Sequence, residues 1–212
     1  MKNQDLFSLV AGVGDLATLP STVVELLYLL KDPTVCASDV VKVLERDPAM
    51  AANVLKLSNS AFYGARRKVS NVQDALVMLG NRAVMTMAFA TGMAPVLRKD
   101  LEGYGITRER FWDHAVLSAS AAAFAADRLG SGHFRCEAFT AGLVHDVGML
   151  VINPHLVRLG HRLPETGDSY DITASEREVL GFDHCDAGAL LAENWGFPPI
   201  LAEAIRHHHA PV

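Results

Sequence analysis

Apolar residues along this chain recur mostly three and four apart, the spacing of one helix face. Short alternating β-branched runs with Asn-Gly or Asp-Gly turns are missing. The pattern therefore predicts an all-α protein. Pro20-Ser21 opens a helix whose buried face is Leu26, Leu27, Leu29 and Leu30. A second starts near Ala37-Ser38-Asp39, capped by Ser38 or Asp39, carries Val40, Val41, Val43 and Leu44, and stops before Asp47-Pro48. Asp47 then caps a helix with Pro48 in its first turn, running to Leu57 and closed by Ser58–Gly64. Val69–Gly80 reads as a capped helix ending on glycine, and Arg82–Met93 as an apolar one. The Met85, Met87 and Met93 stripe of the latter suits flexible core packing.

Polar residues dominate Arg98–Arg110, which marks a boundary between an N-terminal lobe of about residues 15–98 and a C-terminal lobe of about residues 108–212 within one domain spanning 1–212. Beyond it, Ala115–Leu129 is Ala-rich and small-faced, ended by Gly130-Ser131-Gly132. Glu137–Ile152 is expected as one helix terminated by Asn153-Pro154. Leu163–Tyr170 reads as loop, Ser175–Leu180 as helix, and His184–Trp195 and Pro199–His209 as a last pair broken at Gly196-Phe197-Pro198.

Composition narrows the function classes. Half of the 212 residues are apolar, enough for a sizeable core, and the net charge of -5 argues against non-specific binding to nucleic acid or an anionic membrane. The basic run Arg66-Arg67-Lys68 reads as a solvated loop, with phosphate neutralisation as the alternative. Ala37–Leu57 could pass for a helix-turn-helix, but its second helix offers only Asn53 and Lys56 as contacts. Cys36, Cys136 and Cys185 are scattered, without CxxC spacing, which suits a reducing compartment. With no signal-like start and no run of ~18 apolar residues, the expectation is a cytoplasmic domain away from membranes.

The chemistry concentrates at one place. His145-Asp146 sits at the centre of the apolar run Ala141–Ile152, where two adjacent ionisable side chains cost several kcal/mol unless paired, hydrogen-bonded or bound to a metal. Gly142 and Gly148 flank the pair and would let another helix or a ligand approach closely. All nine histidines lie after residue 113, and His114, His145, His184, His208 and His209 fall near ends of separate helical segments. Taken singly, a helix-end histidine is more often a cap. Together with Asp146 they form the ligand types of a bundle-core metal site. His133, His155 and His161 read as surface residues, and His207 as solvent-facing.

These motifs resemble a known family. Leu19-Pro20, Asp47-Pro48, Asn59-Ser60, Ala75-x-x-x-Leu79-Gly80, Trp112-x-His114, Gly142-Leu-x-His145-Asp146-x-Gly148 and His208-His209 follow the order of the HDOD domain, an HD-related output domain of bacterial signalling proteins. The resemblance spans about residues 15–212 and implies a metal pocket of His114, His145, Asp146, His184, His208 and His209, holding iron, manganese or zinc if occupied. Three departures weaken an enzymatic reading. No aspartate follows the His pair, and the Gly-Tyr-Pro of the related HD-GYP enzymes is absent. Arg110 stands where some of those enzymes have a carboxylate. The resemblance thus implies a non-catalytic module that contacts a signalling protein or a fused receiver or effector domain. The alternative is a metal-dependent phosphohydrolase or cyclic-dinucleotide phosphodiesterase. Asn59, Ser60, Phe62 and Tyr63 are a candidate contact patch, although base rates of burial favour packing for the two aromatics.

Overall fold

The computed structural model describes residues 2–12, 19–31, 34–60, 68–163 and 171–210. Its helices, in chain order, are α1 (Lys2–Ala11), α2 (Ser21–Lys31), α3 (Ala37–Glu45), α4 (Pro48–Ser58), α5 (Val72–Leu79) and α6 (Asn81–Leu97). They continue as α7 (Arg108–Arg128), α8 (Arg135–Val144), α9 (Val147–Arg158), α10 (Ile172–Leu180), α11 (His184–Asn194) and α12 (Pro199–His207). Among the described residues there is no strand beyond an isolated bridge between Leu101 and Ile106, so the fold is all-α. None of the described helices is long and apolar enough to cross a membrane. The chain divides into two compact units, Leu19–Ala94 and Met1–Thr18 with Pro95–Val212.

In the unit Leu19–Ala94, local chemistry sets the helix starts. Asp47 caps α4 by accepting from the Met50 backbone N–H at 2.9 Å, and Asn71 caps α5 by accepting from Asp74 N–H at 2.8 Å. The cap of α3 is Cys36 rather than Ser38 or Asp39. Asp39 instead sits three residues into the helix and reaches back to the Cys36 N–H at 3.2 Å. The core is a plain hydrophobic one. Leu26, Leu44, Val54, Phe89 and the three methionines Met85, Met87 and Met93 are all buried. Leu29 is half-buried and Leu30 lies outside the described side chains. The methionine helix extends past the expected Met93 to Leu97, with Pro95 inside its last turn.

In the other unit, α7 turns a stripe of small residues inward: Ala115, Ala119, Ala123 and Ala126 behind Phe111. The expected single helix over Glu137–Ile152 is two helices, α8 and α9, broken at His145-Asp146. Periodicity could not reveal the break, because it is confined to one residue: His145 keeps helical dihedrals (φ −54°, ψ −39°) and Asp146 leaves them (φ −93°, ψ 10°). Asn153-Pro154 does not terminate α9, which continues to Arg158. Pro154 removes one N–H from the helix, and the Asn153 side chain accepts from Gly103 N–H at 2.9 Å instead of capping its own helix. His155 consequently lies on a helix, half-buried, rather than in a loop.

Two glycines set how closely the histidine-bearing helices approach one another. A Cβ on Gly142 would sit 2.8 Å from the Ala119 Cα, so α8 can pack on α7 only with glycine there. A Cβ on Gly148 would collide with the His184 carbonyl oxygen and lie 2.5 Å from Gly188 N, so glycine lets the starts of α9 and α11 touch backbone to backbone.

Candidate metal centre

Those contacts bring four imidazoles around one carboxylate. His114 projects from α7, His145 and Asp146 form the turn between α8 and α9, His184 opens α11 and His208 follows α12. Asp146 Oδ2 lies 3.2 Å from His114 Nε2 and 3.1 Å from His145 Nε2, which are themselves 3.1 Å apart. Its other oxygen, Oδ1, lies 3.5 Å from His184 Nε2 and 3.3 Å from His208 Nε2, themselves 3.2 Å apart. The carboxylate thus bridges two imidazole pairs.

The far side of three of the rings fixes their tautomer. His145 Nδ1 donates to the Gly142 carbonyl at 2.8 Å and His208 Nδ1 to the Ile205 carbonyl at 2.7 Å. His184 Nδ1 donates to Glu176 Oε2 at 2.7 Å. A carbonyl or carboxylate can only accept, so Nδ1 carries the proton and the Nε2 lone pairs of these three rings face the cluster. Lone pairs meeting lone pairs at 3.2 Å, as at His184 and His208, demand a proton or a cation between them.

The protonation preferences follow from that geometry. Burial disfavours charge on His184, but its hydrogen bonds to Cys185 and Glu176, with the Glu176 and Asp146 charges, outweigh it and raise its pKa to about 10. Burial likewise opposes charge on His208, yet Asp146, Cys185 and the Ile205 carbonyl lift it to about 9. His114 is raised chiefly by its hydrogen bond to Asp146. Asp146 is buried, which favours its neutral form, but hydrogen bonds from His114, His145 and His208 hold it well below the usual carboxylate range.

A divalent cation could satisfy the same lone pairs. Donors around a cation with bonds of about 2.0–2.2 Å stand about 3.0–3.5 Å apart, and both triads, His114–His145–Asp146 and His184–His208–Asp146, have that spacing. The residues present therefore fit a divalent metal. Bound there, such an ion supplies Lewis acidity and a lowered pKa for coordinated water. His209 stacks on the His208 ring at 4.3 Å and meets His184 edge-on at 5.0 Å. One donor atom each from His184, Cys185, His208 and His209 lie within 4.8 Å of one another. His209 is the more exposed of the pair and touches neither oxygen of Asp146 in a described hydrogen bond. His207 faces away and pairs with Glu203 at 3.3 Å.

Three residues of the site, Glu176, Tyr104 and Cys185, escaped sequence reasoning. Glu176 is fully buried; its Oε2 accepts from both the Nδ1 and the backbone N–H of His184, and its Oε1 accepts from the Tyr104 hydroxyl at 2.7 Å. It orients His184 from behind, as carboxylates commonly orient metal-binding imidazoles. In sequence Glu176 looks like an ordinary polar residue on an amphipathic helix; the only signal is its place ahead of Gly181, whose φ of 84° turns the chain back toward His184. Cys185, read as one scattered cysteine among three, lies 3.8 Å from His208 Nδ1.

The cluster forms one end of a cavity of about 780 Å³ that also reaches Arg110, whose side chain is exposed at its edge. Asn59, by contrast, is engaged internally. Its amide donates to the Leu55 and Val69 carbonyls and accepts from Val69 N–H, each at 2.8 Å. Ser60 is half-buried, and Phe62, Tyr63, Arg66 and Arg67 lie outside the described residues.

The HDOD domain profile matches residues 16–211. This chain belongs to the HDOD family. An HDOD structure of unknown function from Geobacter sulfurreducens superposes with a TM-score of 0.79 at 26% identity, covering 98% of this chain and 71% of that one. A Shewanella amazonensis SB2B structure described as a candidate phosphohydrolase gives 0.74 at 30% identity, over 96% of this chain and 72% of that one. A Marinobacter aquaeolei VT8 structure described as a candidate signal transduction protein gives 0.76 at 28%, over all of this chain and 50% of that one. Among curated proteins, an uncharacterized protein of Treponema pallidum (strain Nichols) is 26% identical over 204 residues; the HDOD chain spans 95% of its own length there but 39% of the relative's.

Proposed function

We propose that this HDOD domain is a metal-holding regulatory module, which signals through protein contacts and does not turn over a substrate. The observation that carries the metal reading is the single carboxylate of Asp146 shared by two imidazole pairs, with the Nε2 lone pairs of His145, His184 and His208 pre-set inward. The regulatory half rests on what surrounds it. Among the described residues lining the cavity, the ionisable side chains are the cluster itself and Arg110, so no further carboxylic acid stands ready to protonate a leaving group. The similarity to a longer Marinobacter protein described as a candidate for signal transduction supports a module working alongside other domains, with a receiver or effector domain as the partner class.

A second reading keeps the metal and adds hydrolysis of a phosphate ester. It is favoured by the three protein donors per triad, which would leave coordination positions open toward the cavity, and by the likeness to the Shewanella protein.

Elemental analysis of untagged protein tests both. We expect one or two equivalents of iron, manganese or zinc, lost in His145→Ala, with no release of phosphate from mononucleotides, dinucleotides or cyclic dinucleotides by the loaded protein. Turnover abolished by His145→Ala would replace the regulatory reading with the hydrolase. Protein that folds but takes up none of these metals would end both.

A further inference from the structure

The cavity's shape and lining say what kind of molecule it takes. His114, Ser118 and Ala122 stand four residues apart on α7, in one line along that helix. Ala138, Ala141, Gly142 and His145 share one face of α8 by their spacing of three and four. Both lines start at a metal-facing histidine and run away from it over small side chains. Eight residues of helix make the α7 line about 12 Å long. Met149 and Ile172 add further apolar surface to the lining. Among the described residues of the lining, Arg110 supplies the one permanently positive side chain and Ser118 the one hydroxyl.

A nucleotide suits this lining poorly. A base needs amide or other donors and acceptors along its edge, or an open aromatic face, and a polyphosphate needs several cations. Among its described residues the cavity offers a cationic pole at the histidines and Arg110, and an apolar stretch of small side chains beyond it along α7 and α8. We infer that the pocket binds an amphipathic anion, a single phosphate or carboxylate head on an unbranched alkyl chain. The head sits at the histidine cluster beside Arg110, and the chain lies along Ser118 and Ala122 of α7 and Ala138 and Ala141 of α8. This rests on the metal reading above for its strongest head-group contact. It adds the ligand class to which the regulatory module would respond.

The test is calorimetric titration of manganese-loaded protein with inorganic phosphate, then methyl, butyl and octyl phosphate, and adenosine monophosphate. Affinity should rise with chain length, by up to about threefold to fourfold per methylene that enters the apolar stretch, and adenosine monophosphate should bind no better than methyl phosphate. Ala122→Leu, alone and combined with Ala138→Leu, should remove the gain for octyl phosphate and leave inorganic phosphate and metal content unchanged. Affinity independent of chain length, or tighter binding of the nucleotide, would overturn the inference. The series is repeated on metal-free protein. A failure to take up manganese therefore sinks the metal reading alone, while the length dependence still decides the ligand class.

Discussion

The two units solve the packing of helices in different ways. In Leu19–Ala94 the buried polar side chains among the described residues are Ser58 and Thr86, and each hydroxyl bonds a carbonyl of its own helix. Everything else inside is aliphatic, methionine or phenylalanine. In the larger unit Glu176, Asp183 and His184 are buried with charge or hydrogen-bonding demand, and beside a core of large side chains such as Leu143, Ile152, Leu156 and Leu191 the histidine-bearing helices meet over glycine and alanine at Gly142 and Gly148. A core of large apolar groups supplies stability from area removed from water. Close backbone contact over small residues gives up some of that area, and in exchange holds several polar side chains within 3–4 Å of one carboxylate. The first arrangement tolerates change; the second fixes a site.

The largest test of this difference lies in two glycines. Gly148→Ala places a methyl group against the backbone of His184 and Gly188, which cannot yield without separating α9 from α11. We expect a loss of ~3 kcal/mol or more in urea unfolding. Gly92→Ala, in the other unit, would collide with Cγ2 of the buried Val23 and lie 2.9 Å from Met50 Cε; these are side-chain atoms that can shift where backbone cannot, so it should cost less, about 1–2 kcal/mol. Equal losses would erase the distinction between the units.

The next effect concerns the support behind the site. Glu176→Gln retains the size of the side chain but cannot accept from Tyr104 and from both donors of His184 as the carboxylate does. Metal affinity measured by competition with a chelator should fall about 10- to 100-fold, with the helical circular dichroism retained. Unchanged affinity would reduce Glu176 to a helix-start contact.

The smallest effect is in pH. In metal-free protein His184 and His208 have pKa values of about 10 and about 9, above the ordinary 6.5. A folded-state pKa raised in this way adds stability that is complete below about pH 6.5 and disappears as pH rises through 9 to 10. The urea midpoint in the presence of a chelator should therefore decline across that window. Loading with metal should flatten the decline, because the cation replaces the protons between the rings. A midpoint that climbs over the same range would contradict the lone-pair arrangement.

Much of this was legible in the sequence. The helices, the cap at Asp47-Pro48, the packing role of Met85, Met87 and Met93 and the helix contacts at Gly142 and Gly148 all rest on spacing of a few residues, and the structure has them. So does the inward set His114, His145, Asp146, His184 and His208, which the motif order had already singled out. The break at His145-Asp146 and the passage of α9 through Pro154 were not legible, since periodicity averages over a departure confined to one residue, Asp146, and over a proline that the helix accommodates.

By itself, then, the sequence determined the helical class and singled out the ionisable side chains that converge at the candidate site, because hydrogen-bond caps and apolar spacing act over three or four residues and the motifs are short. Only the tertiary structure decided that Asp146 bridges two imidazole pairs, that Glu176 stands behind His184 and that two small-residue lines continue outward from the histidines. Those relations join residues between 8 and more than 60 positions apart. They depend on how closely backbones approach through space, which no local pattern records.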